Sequence, residues 1–206
     1  MNETLERLRA ASVIAVLRTP DAESAVRAAE ALVAGGVRAI ELTFTTPGAA
    51  DAIRRTRAAL GDDVIVGAGT IREHGQLDAA LEAGAEFLVT PHLDAELLPA
   101  MLASGRLALP GTLTPTEMAA AIAAGAEAVK LFPASAFGPS YLQALRGPFP
   151  DLQVVPTGGI GPGDVAAWLA AGAVAVGAGG ELCPSALVAE GRWDELTDTA
   201  RRYLAA

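Results

Sequence analysis

Short apolar runs alternate along this chain with longer alanine-rich segments, from one end to the other. The apolar runs are continuous, as is typical of parallel strands that are covered on both faces. Helical segments lie between them at 22–34, 48–59, 74–83, 94–104, 115–124, 139–146 and 162–171, and a last helix begins at Arg192. The pattern predicts eight strands, centred on Ile14, Ile40, Ile65, Leu88, Leu109, Val129, Val155 and Val174.

One phrase recurs four times: an alanine-rich helical end meets a glycine, and a short apolar strand follows. Gly35, Gly84, Gly125 and Gly172 hold the glycine position, which favours the left-handed cap that ends many helices. Their spacings of 49, 41 and 47 residues leave room for a second strand-plus-helix unit in each gap. Eight such units predict an α/β fold, a single-domain (β/α)8 TIM barrel over residues 1–206, with a short N-terminal helix and a C-terminal closing helix.

Lys130 is the only lysine in the chain, and the other fourteen cationic residues are arginines. It lies in the sixth predicted strand, close to the end where such barrels carry function. Burial there favours the uncharged amine, which is a nucleophile and forms a Schiff base with a carbonyl. Arginine cannot lose its proton in a protein, so imine chemistry requires the lysine. The structural alternative is a lysine whose ammonium group reaches the surface.

Glu41 lies at the end of the second predicted strand, between Ile40 and Leu42. A carboxylate in this setting is poorly solvated unless it is paired. Imine chemistry on a keto acid needs a group that moves protons, and a buried carboxylate suits that task. The alternative is a salt bridge between Glu41 and Lys130 without catalysis.

Two glycine-rich stretches end the last two predicted strands, TGGI at 157–160 and GAGG at 177–180. Many barrels bind a phosphate at this place through backbone N–H groups. The alternative is that these glycines only form tight turns.

Composition and charge exclude several classes of partner. The net charge is −9, whereas nucleic acids and anionic membranes demand clustered cations, so neither is expected as a partner. The single cysteine, Cys183, can form no internal disulfide and is typical of a reducing compartment. The N-terminus lacks a secretory signal pattern and no apolar run could span a bilayer, so we expect a cytoplasmic protein. No metal-ligand spacing or complete nucleotide-binding motif is present, so neither a metal nor a cofactor is predicted.

Eight motifs occur in an order that is specific as a set: AVLR, GGVRAIELTFTTP, VGAGT, AGAEFLVTPH, LPGTLTPTE, KLFPA, GPFP and PTGGI. Through them the chain resembles, over nearly its whole length, the bacterial class I aldolases that cleave 2-keto-3-deoxy-6-phosphogluconate (KDPG) and 2-keto-4-hydroxyglutarate (KHG). The resemblance implies a Schiff base on Lys130, proton transfer by Glu41 and a homotrimer. It further implies substrate-binding roles: Thr70 for the pyruvate carboxylate or carbonyl, Pro91 and Phe132 as pocket walls, and Gly158, Gly159, Gly179 and Gly180 for the distal phosphate.

The chain departs from the family pattern at two positions. Thr45 stands where many members have an arginine that grips the carboxylate, and Arg18, at the end of the first strand, is the nearest candidate to replace that charge. Gly180 stands where many members have a serine, and the adjacent Glu181 would repel a phosphate.

The predicted function is therefore reversible cleavage of a 2-keto-4-hydroxy acid, KDPG and/or KHG, to pyruvate and glyceraldehyde 3-phosphate or glyoxylate. Three alternatives stay open from the sequence. One is a sugar-phosphate isomerase or epimerase barrel without imine chemistry, another is a ligand-binding barrel without activity, and the last is an engineered barrel. Trapping of an imine, or its failure, separates the aldolase from the first two.

Overall fold

The computed structural model describes residues 2–205, in which short parallel strands form a closed ring covered by helices. The strands are β1 Val13–Leu17, β2 Ala39–Thr43, β3 Ile65–Gly69, β4 Phe87–Val89, β5 Leu107–Leu109, β6 Gly111–Thr112, β7 Val129–Leu131, β8 Val154–Pro156 and β9 Val176–Ala178. The α-helices are α1 Glu3–Ala11, α2 Ala22–Ala34, α3 Ala49–Leu60, α4 His74–Glu82, α5 Leu97–Ala103, α6 Pro115–Ala123, α7 Pro139–Arg146, α8 Val165–Ala170, α9 Ser185–Ala189 and α10 Trp193–Leu204.

The ring is built from two parallel sheets, ordered β5-β4-β3-β2-β1-β9 and β6-β7-β8. Pro110 joins β5 to β6, and its carbonyl accepts a hydrogen bond from the Lys130 N–H at 2.9 Å. A bridge between Thr157 and Gly177 joins β8 to β9 and closes the ring. The predicted (β/α)8 barrel is confirmed, with β5 and β6 as one interrupted strand.

Two apolar clusters lie on the two sides of this ring. The outer cluster packs the helices against strand residues such as Ile40 and Leu42. The inner cluster fills the N-terminal half of the barrel and includes Ile14, Ala39, Ile65 and Phe87. Leu5 and Leu8 of α1 belong to the inner cluster, so this helix closes the N-terminal end and leaves the C-terminal end for polar side chains.

Several local predictions are corrected. The eighth strand begins at Val176 rather than being centred on Val174, although the Val174 N–H still donates to the Val154 carbonyl at 2.8 Å. The first left-handed glycine is Gly36 (φ 108°), because Gly35 ends its helix with right-handed φ and ψ of −81° and −5°. The short helix α9 was not predicted, because only five residues follow its proline start.

Gly84, Gly125 and Gly172 have φ between 86° and 107°, as predicted from the repeated phrase. Within the described part of the chain, no helix has the length and apolar character needed to cross a membrane.

Candidate active site

Glu41 and Lys130 both face the interior of the barrel. Along β2, Ala39 belongs to the inner cluster whereas Ile40 and Leu42 belong to the outer one, so Glu41 shares the inward face with Ala39. The same alternation places Lys130 on the inward face of β7, between the outward-facing Val129 and Leu131. Strand periodicity therefore directs both charged side chains into the barrel.

The two groups form a buried pair. Lys130 Nζ lies 3.5 Å from Glu41 Oε1, and the two residues are only 6% and 3% exposed. No protein group donates a hydrogen bond to Oε1, so the contact with Lys130 is an ion pair rather than a hydrogen bond. A buried carboxylate oxygen without a donor is costly. It is also free to accept a proton from a ligand, which a saturated carboxylate is not.

Phe132 and Gly158 lie beside this pair. The Lys130 ammonium is 5.3 Å from the centroid of the Phe132 ring, which is 38% exposed at the barrel mouth. The ring packs against Gly158, where an added methyl group would lie 3.1 Å from Phe132 Cε2. Gly158 has φ of 97°, and Gly159 follows with φ of 69° against Ser135. Glycine is therefore favoured at both positions, because φ is positive and the Phe132 and Ser135 side chains leave little space for a Cβ atom.

Thr70 follows β3 in a strained conformation. Its φ is 56°, in the left-handed region where β-branched residues are rare. Such strain persists where the surroundings impose it, often at functional sites. Pro91 stands on the next loop against the backbone of Gly111, which has no space for a side chain there. The Gly111 N–H donates to Thr90 Oγ1 at 3.1 Å, which fixes this wall of the site.

Arg18 is tied to Thr45 at the barrel mouth. Arg18 Nε donates to Thr45 Oγ1 at 3.0 Å, and Thr45 Oγ1 lies 2.8 Å from Thr43 Oγ1. Thr43 Oγ1 in turn donates to the Leu17 carbonyl at 2.9 Å. The guanidinium thus extends from β1 to the position after β2 where the sequence lacks the family arginine.

A cavity of about 310 Å³ opens next to Arg18. Its lining consists of Val16, Arg18, Gly179, Gly180, Cys183 and Ser185. A methyl group on Gly180 would meet nothing within 4 Å, so this residue leaves open space. Glu181 is directed elsewhere, since its Oε2 would lie 2.9 Å from a methyl group on Gly161. The Glu181 carboxylate therefore lies against the loop that follows β8.

The predicted site residues thus form two adjoining groups. The first group is the buried pair of Glu41 and Lys130, with Phe132 and Gly158 beside it. The second group lies at the cavity and consists of Arg18, Thr45, Gly179 and Gly180. Sequence reasoning missed Thr43, which links Thr45 to β1, and Ser185, which lines the cavity. It also missed Gly69, whose position opposite Thr43 depends on strand register.

Cys183 is buried at the edge of the cavity, and burial raises the pKa of its thiol to about 12. A thiol with so high a pKa is a poor nucleophile at neutral pH. Among residues 2–205, no group of three or more histidine, cysteine or acidic side chains is arranged to hold a metal ion.

A closed barrel with a buried lysine and carboxylate at its C-terminal mouth defines a barrel protein equipped for amine chemistry on a small ligand. The model of one family, KDPG and KHG aldolase, matches residues 4–199. The chain belongs to this family and is an aldolase, a pyruvate-dependent lyase.

Curated relatives agree with this assignment. The KHG/KDPG aldolase of Escherichia coli (strain K12) is 39% identical over 92% of this chain and 89% of that protein. The 2-dehydro-3-deoxy-6-phosphogalactonate aldolase of the same organism is 36% identical over 82% of this chain and 83% of that protein.

A solved structure is similar over almost the full length. The KDPG aldolase of Legionella pneumophila, with pyruvate captured as a covalent carbinolamine intermediate, superposes with a TM-score of 0.90 at 31% identity. The match covers 97% of both chains.

Proposed function

We propose that this aldolase cleaves a 2-keto-4-hydroxy acid, KDPG and/or KHG, through a Schiff base on Lys130, with Glu41 as the general acid and base. The observation that carries this assignment is the buried Lys130–Glu41 pair, 3.5 Å apart, in which no other protein group donates a hydrogen bond to Glu41 Oε1. A lysine amine held beside a carboxylate can pass its proton to that carboxylate and then attack a ketone. The structure of the Legionella pneumophila relative, with pyruvate captured as a covalent carbinolamine, supports the same chemistry.

The reaction follows from these two groups. The Lys130 amine adds to the C2 ketone, water is lost, and the protonated imine becomes an electron sink. Glu41, directly or through a water molecule, removes the proton of the C4 hydroxyl, the C3–C4 bond breaks, and the aldehyde leaves. The resulting enamine takes a proton at C3 from Glu41, and water hydrolyses the imine to pyruvate and the free amine.

Arg18 binds the substrate carboxylate in this assignment, with Thr45 and Thr70 beside it. Its hydrogen bond to Thr45 supports this role, because it places a cation where the family arginine is missing. Pro91 and Phe132 form the pocket walls.

The distal group occupies the cavity, whose lining includes Gly179 and Gly180. Gly158 and Gly159 are assigned to the same group because they directly follow Thr157, which is bridged to Gly177 at the end of the neighbouring strand. Because Arg18 is assigned to the carboxylate, the backbone N–H groups of these glycines are assigned to a distal phosphate.

Trapping of the imine tests the mechanism directly. Borohydride in the presence of pyruvate should attach one stable adduct to the chain. Because Lys130 is the only lysine, mass spectrometry has one candidate side chain apart from the N-terminal amine. An adduct at the N-terminus alone, or none, rejects the imine mechanism and favours an isomerase-type or non-catalytic barrel.

Arg18→Gln tests whether Arg18 binds the carboxylate of the substrate or its distal group. Exchange of the pyruvate C3 protons for deuterium requires only the carboxylate contact, whereas cleavage of KDPG also requires the distal contact. We expect KM to rise in both reactions if Arg18 binds the carboxylate. A rise confined to KDPG moves Arg18 to the distal phosphate.

The preferred aldehyde is decided by kcat/KM for KDPG, KHG and 2-dehydro-3-deoxy-6-phosphogalactonate, which differ in the distal group or in stereochemistry. The third substrate belongs in the panel because one relative is named for it. Preference for KHG over both phosphorylated substrates would contradict a phosphate-binding cavity.

The assembly is a homotrimer in this assignment. One similar structure, with a TM-score of 0.81, is a cage designed by fusing symmetric oligomeric domains, and the Phe137 ring is exposed here outside the pocket walls. Light scattering after size-exclusion chromatography should give three times the monomer mass. The cytoplasmic location stays a prediction, which cell fractionation tests.

A further inference from the structure

Gly69, the last residue of β3, lies directly against the carboxylate of Glu41. It pairs in register with Thr43, while Glu41 pairs with Gly67. A methyl group on Gly69 would lie 2.5 Å from Glu41 Cδ and 2.6 Å from Cγ, and closer still to Oε1. Carbon atoms in contact are normally 3.5–4.0 Å apart, so a side chain on Gly69 and the observed Glu41 conformation exclude each other.

Backbone conformation does not explain this glycine. Gly69 lies outside the left-handed region, whereas Gly158 and Gly159 have φ of 97° and 69°. The next residue, Thr70, has φ of 56° although it is β-branched. The chain thus has a threonine where the backbone favours glycine and a glycine where alanine would be conformationally acceptable. Space for the carboxylate is the remaining reason.

The Glu41 side chain has little room to move away. It is 3% exposed, and its neighbours in register are Val16 on one side and Gly67 on the other. Its Oε1 lies 3.5 Å from Lys130 Nζ without any hydrogen bond that would hold it there. The position of the carboxylate is therefore set by packing, and the bare Cα of Gly69 is one wall of that packing.

We infer that Gly69 is a positioning residue for proton transfer, because its missing side chain allows the Glu41 carboxylate to lie beside the Lys130 amine. This inference rests on the proposed function, in which Glu41 exchanges protons at C3 of the lysine-bound pyruvate. Gly69 touches no substrate and acts only through Glu41. A displacement of about 1 Å in a reacting group costs on the order of 100-fold in rate.

Gly69→Ala tests the inference with two readouts on the full chain. Borohydride trapping with pyruvate should persist, because Lys130 is untouched. The rate at which the enzyme exchanges the C3 protons of pyruvate for deuterium should fall by about 100-fold. A purely structural defect would lower both readouts together.

Gly67→Ala is the matched control. Gly67 lies on the same face of β3, and a methyl group there would lie 2.5 Å from the Phe87 ring instead of Glu41. It introduces the same volume into the barrel, but its three nearest atoms belong to the Phe87 ring rather than to the carboxylate. We expect the exchange rate per folded molecule to stay within about threefold of the wild-type rate, which is well below the effect of a 1 Å displacement.

Glu41→Asp supplies the rescue, because the shorter side chain withdraws the carboxylate from position 69. Adding Gly69→Ala to Glu41→Asp should lower exchange by less than about fivefold, against about 100-fold in the wild-type background, since residues in contact are not additive. If Gly69→Ala alone does not fold, the double variant should fold, because the clash is relieved.

Three outcomes overturn the inference: exchange within threefold of wild type in Gly69→Ala, an equal loss in both backgrounds, or failure of both single and double variants to fold. Wild-type protein that neither traps pyruvate nor exchanges its protons rejects the proposed function instead. The two failures are therefore distinguishable.

Discussion

Glu41 and Glu86 are two poorly exposed carboxylates that meet cations in opposite ways. Glu86 stands just before β4, and its side chain is 18% exposed. Its Oε2 accepts a hydrogen bond from Arg7 Nη1 at 2.8 Å, and its Oε1 accepts one from the Val66 N–H at 3.1 Å. Arg57 Nη1 lies 2.7 Å from Oε1 as an ion pair without hydrogen-bond alignment. Each oxygen of Glu86 is therefore satisfied.

Glu41 is less exposed and less satisfied. Its partner is a lysine rather than an arginine, and the 3.5 Å contact provides no hydrogen bond to Oε1. Arginine suits Glu86 because its fixed charge and several donors hold α1 and α3 against the barrel. Lysine suits Glu41 because its amine can lose a proton and react. Glu6 Oε1 also lacks a donor, but the Glu6 side chain is 43% exposed. The difference teaches that burial combined with incomplete pairing separates the proposed reactive carboxylate from the structural one.

Lys130→Arg is the strongest way to break this comparison. It keeps the charge beside Glu41 but removes the amine that can form an imine. We expect pyruvate release to fall by about 10⁴-fold or more, in the range seen when a covalent nucleophile is lost. Arg55→Lys, at an exposed ion pair, is the reciprocal control and should leave kcat unchanged. Retained turnover in Lys130→Arg would favour a salt bridge without catalysis.

Glu41→Gln should have the next largest effect. The amide keeps the shape of the side chain but cannot take or return a proton, so kcat should fall by about 10²–10⁴-fold. Borohydride trapping of pyruvate should persist, since the lysine remains. Glu86→Gln, measured in the same steady-state assay, should keep wild-type kcat. Equal losses in both variants would remove the distinction between the two carboxylates.

Glu86→Gln tests whether Glu86, unlike Glu41, serves the stability of the fold. Loss of the charge weakens the hydrogen bond from Arg7 and the ion pair with Arg57, and one hydrogen bond to a charged group contributes about 1.5–3 kcal/mol. We expect a loss of about 2 kcal/mol in urea unfolding and a decrease in Tm of about 4–8 °C for a chain of this length. Asp198→Asn, at an exposed pair with Arg201, is the control and should leave Tm unchanged. A Tm in Glu86→Gln equal to wild type would contradict the structural role.

Cys183 provides a contrast to the reactive pair, because it lies at the barrel mouth and we expect its buried thiol to be unreactive. Burial raises the pKa of its thiol from 9.0 to about 12, so the native state keeps its proton longer than the unfolded state. The contribution of the protonated Cys183 thiol to the free energy of unfolding is therefore complete below about pH 9. It is lost as the pH rises toward 12, by at most about 1.4 kcal/mol per pH unit.

The stability of Cys183→Ala should accordingly decline less than that of wild type above pH 9, with urea unfolding as the measurement. In folded wild-type protein, iodoacetamide at pH 8 should label Cys183 far more slowly than in urea. Equal labelling rates would contradict a protonated, buried thiol.

Much of the architecture followed from local patterns in the chain. The alternation of apolar runs and alanine-rich helices predicted the parallel barrel, because strands covered on both faces and amphipathic helices differ in length and composition. The predictions failed where local signals compete. Pro110 interrupts a strand because it has no N–H to donate. At the end of α2 it is Gly36, and not the predicted Gly35, that has the left-handed conformation.

The site was predictable to the extent that residue type limits chemistry. A lone lysine among arginines, a carboxylate at a strand end and glycine-rich strand ends were visible without coordinates. Arg18 could be named as a candidate for the missing charge, although its hydrogen bond to Thr45 joins two different strands.

The sequence by itself determined the order of strands and helices, the scarcity of lysine and the membership in an aldolase family. Only the tertiary structure decided that Glu41 lies 3.5 Å from Lys130, that Gly69 leaves the space for this contact, and that Glu86 is held by two arginines. The physical reason is that periodicity acts along the chain, whereas these contacts depend on the register between strands and on closure of the barrel, which bring together residues that are far apart in sequence.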